Sequence, residues 1–165
     1  MKYLTLIRHS IPSINSTVDN NDKYRFLNED GISLIKKISN EIKRLNLEEA
    51  VFISSNAVRA YQTAIEFLEE LNKSIPLYIE NSLYYKIESL SELIQELLIK
   101  YEKFNNIWIF GHNPSLSNIA STILRTSFFL SRCSLLYFTF ETHTWQNISP
   151  FNLKDYLIID SKKFR

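Results

Sequence analysis

The order of apolar runs and amphipathic segments constrains the fold of this chain more than any other feature of its sequence. Short apolar runs, rich in β-branched and aromatic residues, predict strands. The predicted strands are 2–8, 51–54, 76–79, 107–110, 133–141 and 144–148. Between the early strands, apolar positions at spacings of three and four, together with capping residues, predict helices. The predicted helices are 29–45, 57–72, 89–101 and 114–124, with Asn56 and Ser89 as N-caps.

This alternation of strands and helices indicates an α/β sandwich with a largely parallel sheet. The 165 residues are most simply one domain, spanning 1–165. In open α/β sheets, ligands bind at the carboxyl ends of the strands. Arg8, His9, Ser55 and His112 all lie at such ends. We therefore expect side chains that are far apart in sequence to meet at one edge of the sheet.

Composition limits the classes of function. A formal net charge of +1 gives no support for a nucleic-acid or membrane partner through bulk charge. Cys133 is the only cysteine, so an internal disulfide is impossible, and we expect its thiol to be a small buried group. No apolar stretch reaches the roughly 18 residues of a membrane span, and no signal segment opens the chain. We expect a cytoplasmic enzyme.

Two arginines and two histidines carry the chemical signal. Arg8 and His9 end the first predicted strand, Arg59 lies at the start of a predicted helix, and His112 follows another strand. The planar guanidinium binds phosphate oxygens through several charged hydrogen bonds. Helix N-termini after Ser55 and His112 would add backbone donors and a positive dipole end. The pattern predicts a phosphate pocket.

A nucleophile for phosphoryl transfer is then needed. The chain has only two glycines, which argues against a phosphate cradle of glycine amides, and no histidine and cysteine cluster has zinc spacing. A two-metal carboxylate site stays open, although no Asp or Glu motif indicates one. Neutral imidazole is a good nucleophile near neutral pH. His9 is therefore the candidate nucleophile, and His112 the candidate donor to the phosphoryl oxygens.

Three motifs in this order resemble the histidine phosphatase superfamily, which is phosphoglycerate mutase-like. They read RH at 8–9, SSNAVRAYQTA at 54–64 and GHNP at 111–114. The small size and the segment 145–154 resemble the SixA-type phosphohistidine phosphatase branch. The resemblance implies a three-layer α/β/α sandwich with a mostly parallel central sheet. It also implies that His9 is phosphorylated, that Arg8, Arg59 and His112 complete the phosphate pocket, and that neither a metal nor an organic cofactor is used.

The sequence departs from the superfamily pattern in two places. Ser10 stands where glycine is usual, and its hydroxyl either points away from the pocket or narrows it. Many members place a general acid after the third strand, and here Glu88 is the candidate, with Glu80 behind it. A phosphohistidine leaving group departs as neutral imidazole, whereas an alkoxide needs a proton. An indistinct acid position therefore favours a P–N substrate over a P–O substrate.

The leading hypothesis is a phosphatase that dephosphorylates phosphohistidine on a histidine-containing phosphotransfer protein of a two-component relay. The first alternative is a phosphomonoesterase for a small phosphorylated metabolite. The second is a non-catalytic module that binds phosphoproteins. The sequence leaves open the physiological substrate and the oligomeric state. It also leaves open whether the loop 10–28 covers the pocket and whether Arg25 adds a third cation to it.

Overall fold

A six-stranded sheet lies at the centre of the computed structural model, which describes residues 1–14, 21–45 and 50–165. The strands are β1 (Lys2–Arg8), β2 (Ala50–Ser54), β3 (Leu77–Ile79), β4 (Asn106–Gly111), β5 (Leu135–Phe140) and β6 (Leu153–Ile159). They lie side by side in the order β3-β2-β4-β1-β5-β6. The first four in this order are parallel to one another, whereas β5 pairs antiparallel with β1, and β6 pairs antiparallel with β5. The predicted mostly parallel sheet is confirmed.

Helices cover both faces of the sheet. They are α1 (Glu29–Ile42), α2 (Val58–Leu71), α3 (Ser82–Tyr85), α4 (Leu90–Glu96) and α5 (Ser115–Leu124). The helices α1 and α2 pack on the face that carries Phe52, Trp108 and Phe110, while α4 and α5 pack on the face that carries Leu4 and Leu6. The fold is therefore the predicted three-layer α/β/α sandwich. Among the helices of the described residues, none is long and apolar enough to cross a lipid bilayer.

The nearly continuous apolar runs of the central strands result from burial on both faces of the sheet. Every residue of β2 and of β4 is buried, because helices cover the sheet on both sides. A strand in that position needs apolar side chains on both faces, so its sequence becomes a nearly continuous apolar run.

The prediction of a closing strand at 144–148 is wrong. This segment contains a short 3-10 turn, Trp145–Asn147, and the strand that pairs with β5 is β6. The Trp145 ring is fully buried, and its indole N–H donates to the carbonyl oxygen of Phe104 at 2.9 Å. The apolar residues of this segment therefore reflect the burial of Trp145 and not the pairing of a strand. The edge strand β6 is largely exposed, so its sequence alternates too weakly to reveal it.

Helix ends also differ from the predictions. Asn56 is not the N-cap of α2; Ala57 takes that position without a side-chain hydrogen bond. Ser89 is the predicted N-cap of α4 and forms a capping box with Glu92. The predicted helix 89–101 is interrupted after α4, because Leu97 leaves helical geometry and a 3-10 turn follows at Leu98–Tyr101. The predicted helix 29–45 ends earlier, at Ile42.

The predicted loop 10–28 is described only in part, since 15–20 lies outside the described residues. Its described ends come together at an isolated bridge between Pro12 and Leu27. Between these two residues in the chain lies a 3-10 turn at Asp22–Tyr24, which is capped by the side chain of Asn21.

Candidate active site

Three strand ends form the floor of the candidate site. Arg8, the last residue of β1, pairs with Gly111, the last residue of β4. The next backbone bonds continue the register, because the N–H of His9 donates to the Gly111 carbonyl oxygen at 3.0 Å. The N–H of Ser55, after β2, donates to the Phe110 carbonyl oxygen at the same distance. Strand pairing alone thus places the residues that follow β1, β2 and β4 in one row.

The two histidines share one crevice. The ring centroids of His9 and His112 are 5.1 Å apart, with the ring planes inclined by 52°. Both side chains are buried, at 6 % and 8 % exposure. The edge of the Tyr84 ring approaches His112, with centroids 5.4 Å apart. The geometry thus brings together the two imidazoles that the sequence motifs single out.

The proton on His9 is located by its neighbour. Nδ1 of His9 lies 2.8 Å from the carbonyl oxygen of Ser10, and a carbonyl only accepts, so Nδ1 carries the hydrogen. The lone pair is then on Nε2, where it accepts a hydrogen bond from Nε of Arg59 at 3.2 Å. Burial, aided by the charges of His112, Arg59 and Arg8, lowers the pKa of His9 to about 2. The imidazole is therefore neutral near pH 7.

His112 is held by a short hydrogen-bond chain. Its Nε2 lies 2.8 Å from Oγ of Ser55, and that oxygen accepts from the backbone N–H of Ala57 at 3.2 Å. Burial and the charge of Arg59 lower the pKa of His112 to about 4. Its Nδ1 is buried and has no hydrogen-bond partner among the described residues. This nitrogen is thus available to an incoming group.

Arg59 enters the site from the first turn of α2 and is 7 % exposed. Its guanidinium already holds a carboxylate. Nη1 donates to the backbone oxygen of Asp22 at 2.6 Å, and Nη2 donates to Oδ2 of the same residue at 2.7 Å. Asp22 therefore binds the two terminal nitrogens of Arg59, which the sequence analysis predicted to bind phosphate.

Asp22 was missed by sequence reasoning. Its other carboxylate oxygen accepts from Nη1 of Arg25 at 3.1 Å, while Oδ2 also accepts from the Tyr84 hydroxyl at 3.4 Å. Burial alone would raise the pKa of the Asp22 carboxyl group. The charge of Arg59 and the hydrogen bonds from Arg25 and Arg59 together have a larger effect, so this pKa lies below its ordinary value. The only local signal was the Asp22 and Arg25 pair, three residues apart in a polar loop.

Arg8 lies at the border of the site. It is half-buried, and its Nη1 donates to the Leu130 carbonyl oxygen at 3.2 Å. Its guanidinium stacks 5.5 Å from the centre of the Phe129 ring, while its Nε is buried without a partner among the described residues. Desolvation, followed by the charges of Arg132, Arg165 and Arg59, lowers the pKa of Arg8 to about 10. Because its guanidinium is partly desolvated and lies near other cations, a bound anion would stabilise the charged form of Arg8.

The Ser10 hydroxyl and the carboxylates of Glu88 and Glu80 make no described hydrogen bond to the two histidines. The Ser10 hydroxyl donates to the Gly31 carbonyl oxygen at 2.8 Å, so it points away from the pocket. Glu88 is exposed, and no described contact joins its carboxylate to the histidines or arginines; its acid role stays a prediction. Glu80 accepts instead from Tyr101 at 2.9 Å and from Lys100 at 3.3 Å.

Within 1–14, 21–45 and 50–165, no group of three or more His, Cys, Asp or Glu side chains is arranged to hold a metal ion.

Comparison with solved structures identifies the fold. A protein assigned as phosphohistidine phosphatase SixA from Agrobacterium tumefaciens has a TM-score of 0.73 and 19% identity, covering 94% of this chain and 97% of that chain. The SixA protein histidine phosphatase complexed with tungstate has a TM-score of 0.75 and 14% identity, covering 99% of each chain. The chain has the SixA fold. Neither the family models nor the curated protein sequences give a match.

Further neighbours share the same architecture. A SixA protein from Nakamurella multipartitia has a TM-score of 0.78 and 16% identity, over 96% of this chain and 95% of that chain. A mycobacterial glucosyl-3-phosphoglycerate phosphatase has a TM-score of 0.59 and 11% identity, over 95% of this chain and 96% of that chain. The SixA fold is thus matched along almost the whole chain.

Proposed function

We propose that this protein is a phosphatase that works through a phosphorylated His9, and that its substrate is a phosphohistidine on a protein. The observation that carries the proposal is the state of His9. Its Nδ1–H is held by the Ser10 carbonyl oxygen at 2.8 Å, while the Nε2 lone pair lies beside Arg59 and faces the His112 crevice. A neutral imidazole with its hydrogen held on Nδ1 and its lone pair on Nε2 is prepared to attack phosphorus, once the hydrogen bond from Arg59 to that lone pair opens.

The first step transfers the phosphoryl group. Nε2 of His9 forms a bond to phosphorus as the P–N bond of the substrate breaks. A substrate imidazole protonated at its other nitrogen leaves as neutral imidazole. His9 then carries the phosphoryl group on Nε2 and the hydrogen on Nδ1, so its ring is an imidazolium. The Ser10 carbonyl oxygen stabilises that charge through the hydrogen bond it already makes.

The second step hydrolyses the intermediate. Water attacks phosphorus, the P–Nε2 bond breaks with its electron pair returning to Nε2, and His9 is again neutral with its hydrogen on Nδ1. The proton from water leaves with the phosphate or passes to solvent. Each leaving group in the cycle is a neutral imidazole, so neither step requires a separate acid.

Positive charge stabilises the transferring group. Arg8 and Arg59 would bind the phosphoryl oxygens, and the unpartnered Nδ1 of His112 would donate to them. Because Arg59 now binds Asp22, the phosphoryl group must take the place of that carboxylate. A SixA protein with the same fold forms a complex with tungstate, which supports the binding of a tetrahedral oxyanion by this fold.

The acid groups favour a P–N substrate. The lowered pKa of Asp22 makes it a poor proton donor near pH 7, and the Glu88 carboxylate has no described contact with the site. An alcohol leaving group would depart as an unprotonated alkoxide, whereas imidazole would not.

The test compares three proteins on two substrates. Wild type, His9→Asn and the control His143→Asn, which alters an exposed histidine, are assayed on a phosphohistidine carrier protein and on an alkyl phosphate. We expect His9→Asn to lose activity by about 10⁴-fold or more, while His143→Asn retains it. Rapid acid-free quenching should trap a phosphate label on His9. Unchanged hydrolysis by His9→Asn would disprove the nucleophile, and equal turnover of the alkyl phosphate would disprove the P–N preference.

A further inference from the structure

A second cluster of cations shares Arg8 with the phosphate pocket. Four basic side chains line one open cavity of about 280 Å³ together with Phe129 and Ser131. They are Arg8, Arg132, Lys162 and Arg165. We call this cavity the basic cleft.

The cations of the basic cleft have no neutralising partner in the described part of the chain. No carboxylate of the described residues lies within 4.0 Å of any of the four basic groups. Asp160 contacts Lys162 through the backbone: its Oδ1 accepts from the Lys162 N–H at 3.0 Å and not from the ammonium group. The positive charges of Arg132 and Arg165 instead repel that of Arg8 and contribute to lowering its pKa. A molecule with a net charge of only +1 thus concentrates unbalanced positive charge in one cavity.

The basic cleft is built on a rigid support. Ser161 donates from Oγ to the Arg132 carbonyl oxygen at 2.6 Å, and Arg165 donates to the same oxygen at 3.3 Å. The N–H of Cys133 donates to the carbonyl oxygen of Arg8 at 2.9 Å. These bonds join the segment before β5 and the last 3-10 turn to the end of β1. The backbone that carries these cations is therefore anchored to the end of β1, next to His9.

The exposure and charge of the residues that line the basic cleft indicate which kind of molecule it binds. Arg132, Lys162 and Arg165 are exposed, so the cleft does not enclose and desolvate a small anion. The Phe129 ring is 66% exposed at its rim and offers an apolar contact. Several separated cations and one aromatic ring match a protein surface that carries carboxylates.

We propose that the basic cleft binds acidic side chains that flank the phosphohistidine of a protein substrate. The inference rests on the proposed function and specifies which substrates it favours. Arg8 joins the two sites, because it borders the phosphate pocket and lines the basic cleft. A substrate with glutamates beside its phosphohistidine gains attraction at the cleft while its phosphoryl group approaches His9. The preference weakens as ionic strength rises.

The experiment uses two synthetic peptides with a central phosphohistidine, one flanked by glutamates and the other by glutamines at the same positions. The test variant is Arg132→Gln/Lys162→Gln. The control variant, Lys73→Gln/Lys154→Gln, removes the same charge from two exposed lysines outside the basic cleft. Turnover of phosphoramidate, which is too small to reach the cleft, reports basal activity.

We expect wild type and the control variant to prefer the glutamate peptide about tenfold in kcat/KM at low salt. The test variant should turn over both peptides within twofold of each other and keep its phosphoramidate rate. Equal turnover of the two peptides by wild type overturns the inference, as does a preference that survives in the test variant. If the double variant fails to fold, Lys162→Gln alone should still reduce the preference, and an undiminished preference there overturns it.

Binding separates this inference from the proposed function. The same two peptides, made with a non-hydrolysable phosphonate analogue of phosphohistidine, are titrated into wild type and the test variant. If wild type hydrolyses neither phosphohistidine peptide nor phosphoramidate, the proposed function fails. Tighter binding of the glutamate analogue that depends on Arg132 and Lys162 then still supports the basic cleft, whereas equal affinity for the two analogues overturns it.

Discussion

Individual residues decide the charge and proton positions in the candidate site. The Ser10 carbonyl oxygen fixes the tautomer of His9, and the Ser55 hydroxyl holds His112. Asp22 is the residue that changes the chemistry most, because its carboxylate and backbone oxygen already satisfy both terminal nitrogens of Arg59. Any anion that binds the terminal nitrogens of Arg59 must compete with the carboxylate of Asp22.

Replacing Asp22 tests this competition. We expect Asp22→Asn to bind inorganic phosphate or tungstate roughly threefold to fivefold more tightly, because a half-exposed carboxylate that competes for Arg59 loses its charge. Isothermal titration measures the affinity, and Asp155→Asn, an exposed carboxylate on β6, is the control. Weaker binding by Asp22→Asn would show instead that Asp22 positions Arg59 for the anion.

At the level of secondary structure, strand register and helix contacts bring these residues together. The parallel pairing of β1 with β4 aligns Arg8 with Gly111, so the histidines that follow emerge side by side. The helix α1 supports the loop after β1 through Gly31. Its carbonyl oxygen accepts from the Ser10 hydroxyl, and its Cα faces the backbone of Ile11 so closely that a side chain would collide with the Ile11 carbonyl oxygen.

This contact gives a stability prediction that opposes helix propensity. Gly31→Ala should lower the free energy of unfolding by about 1–3 kcal/mol, because the added Cβ forces α1 away from Ile11. Helix propensity alone would raise stability by about 1 kcal/mol. Urea unfolding measures the change, with Ser33→Ala on the exposed face of α1 as the control. A more stable Gly31→Ala variant would contradict the close approach.

On the scale of the whole molecule, two neutral imidazoles are buried at the edge of the sheet while uncompensated cations gather in the basic cleft. Burial lowers the pKa of His9 to about 2 and that of His112 to about 4, whereas an unfolded chain titrates histidine near 6.5. Below pH 6.5 the unfolded state binds protons that the folded state rejects. Folding stability therefore falls as pH decreases through this range.

The pH dependence is measurable by denaturant unfolding. Between pH 7.5 and pH 5.5 we expect a loss of about 1.4 kcal/mol for each of His9 and His112, because pH 5.5 lies one unit below the unfolded pKa. The carboxylate of Asp22, whose pKa is also lowered, contributes only at lower pH, near and below its ordinary value of 3.8. The double variant His9→Asn/His112→Asn should show a flatter profile over this interval. A flat profile for wild type would disprove the buried neutral imidazoles.

Local patterns were sufficient for much of the fold. The buried strands β2 and β4 and the amphipathic helices α1 and α2 have apolar spacings that report their own burial, and these spacings need no knowledge of distant partners. The exposed edge strand β6 was not predicted, because an edge strand lacks a buried face. The segment 144–148 was wrongly predicted as a strand, because a single aromatic ring such as that of Trp145 can be buried by any element.

The sequence by itself determined the α/β alternation and the residues that end its central strands, including Arg8, His9 and His112. Those features depend on neighbours along the chain. Only the tertiary structure decided that Asp22 occupies the fork of Arg59, that Ser55 holds His112, and that Arg132 and Lys162 line one cavity with Arg8. Each of these contacts joins residues that are tens of positions apart, so it depends on strand order and loop path, which local spacing does not encode.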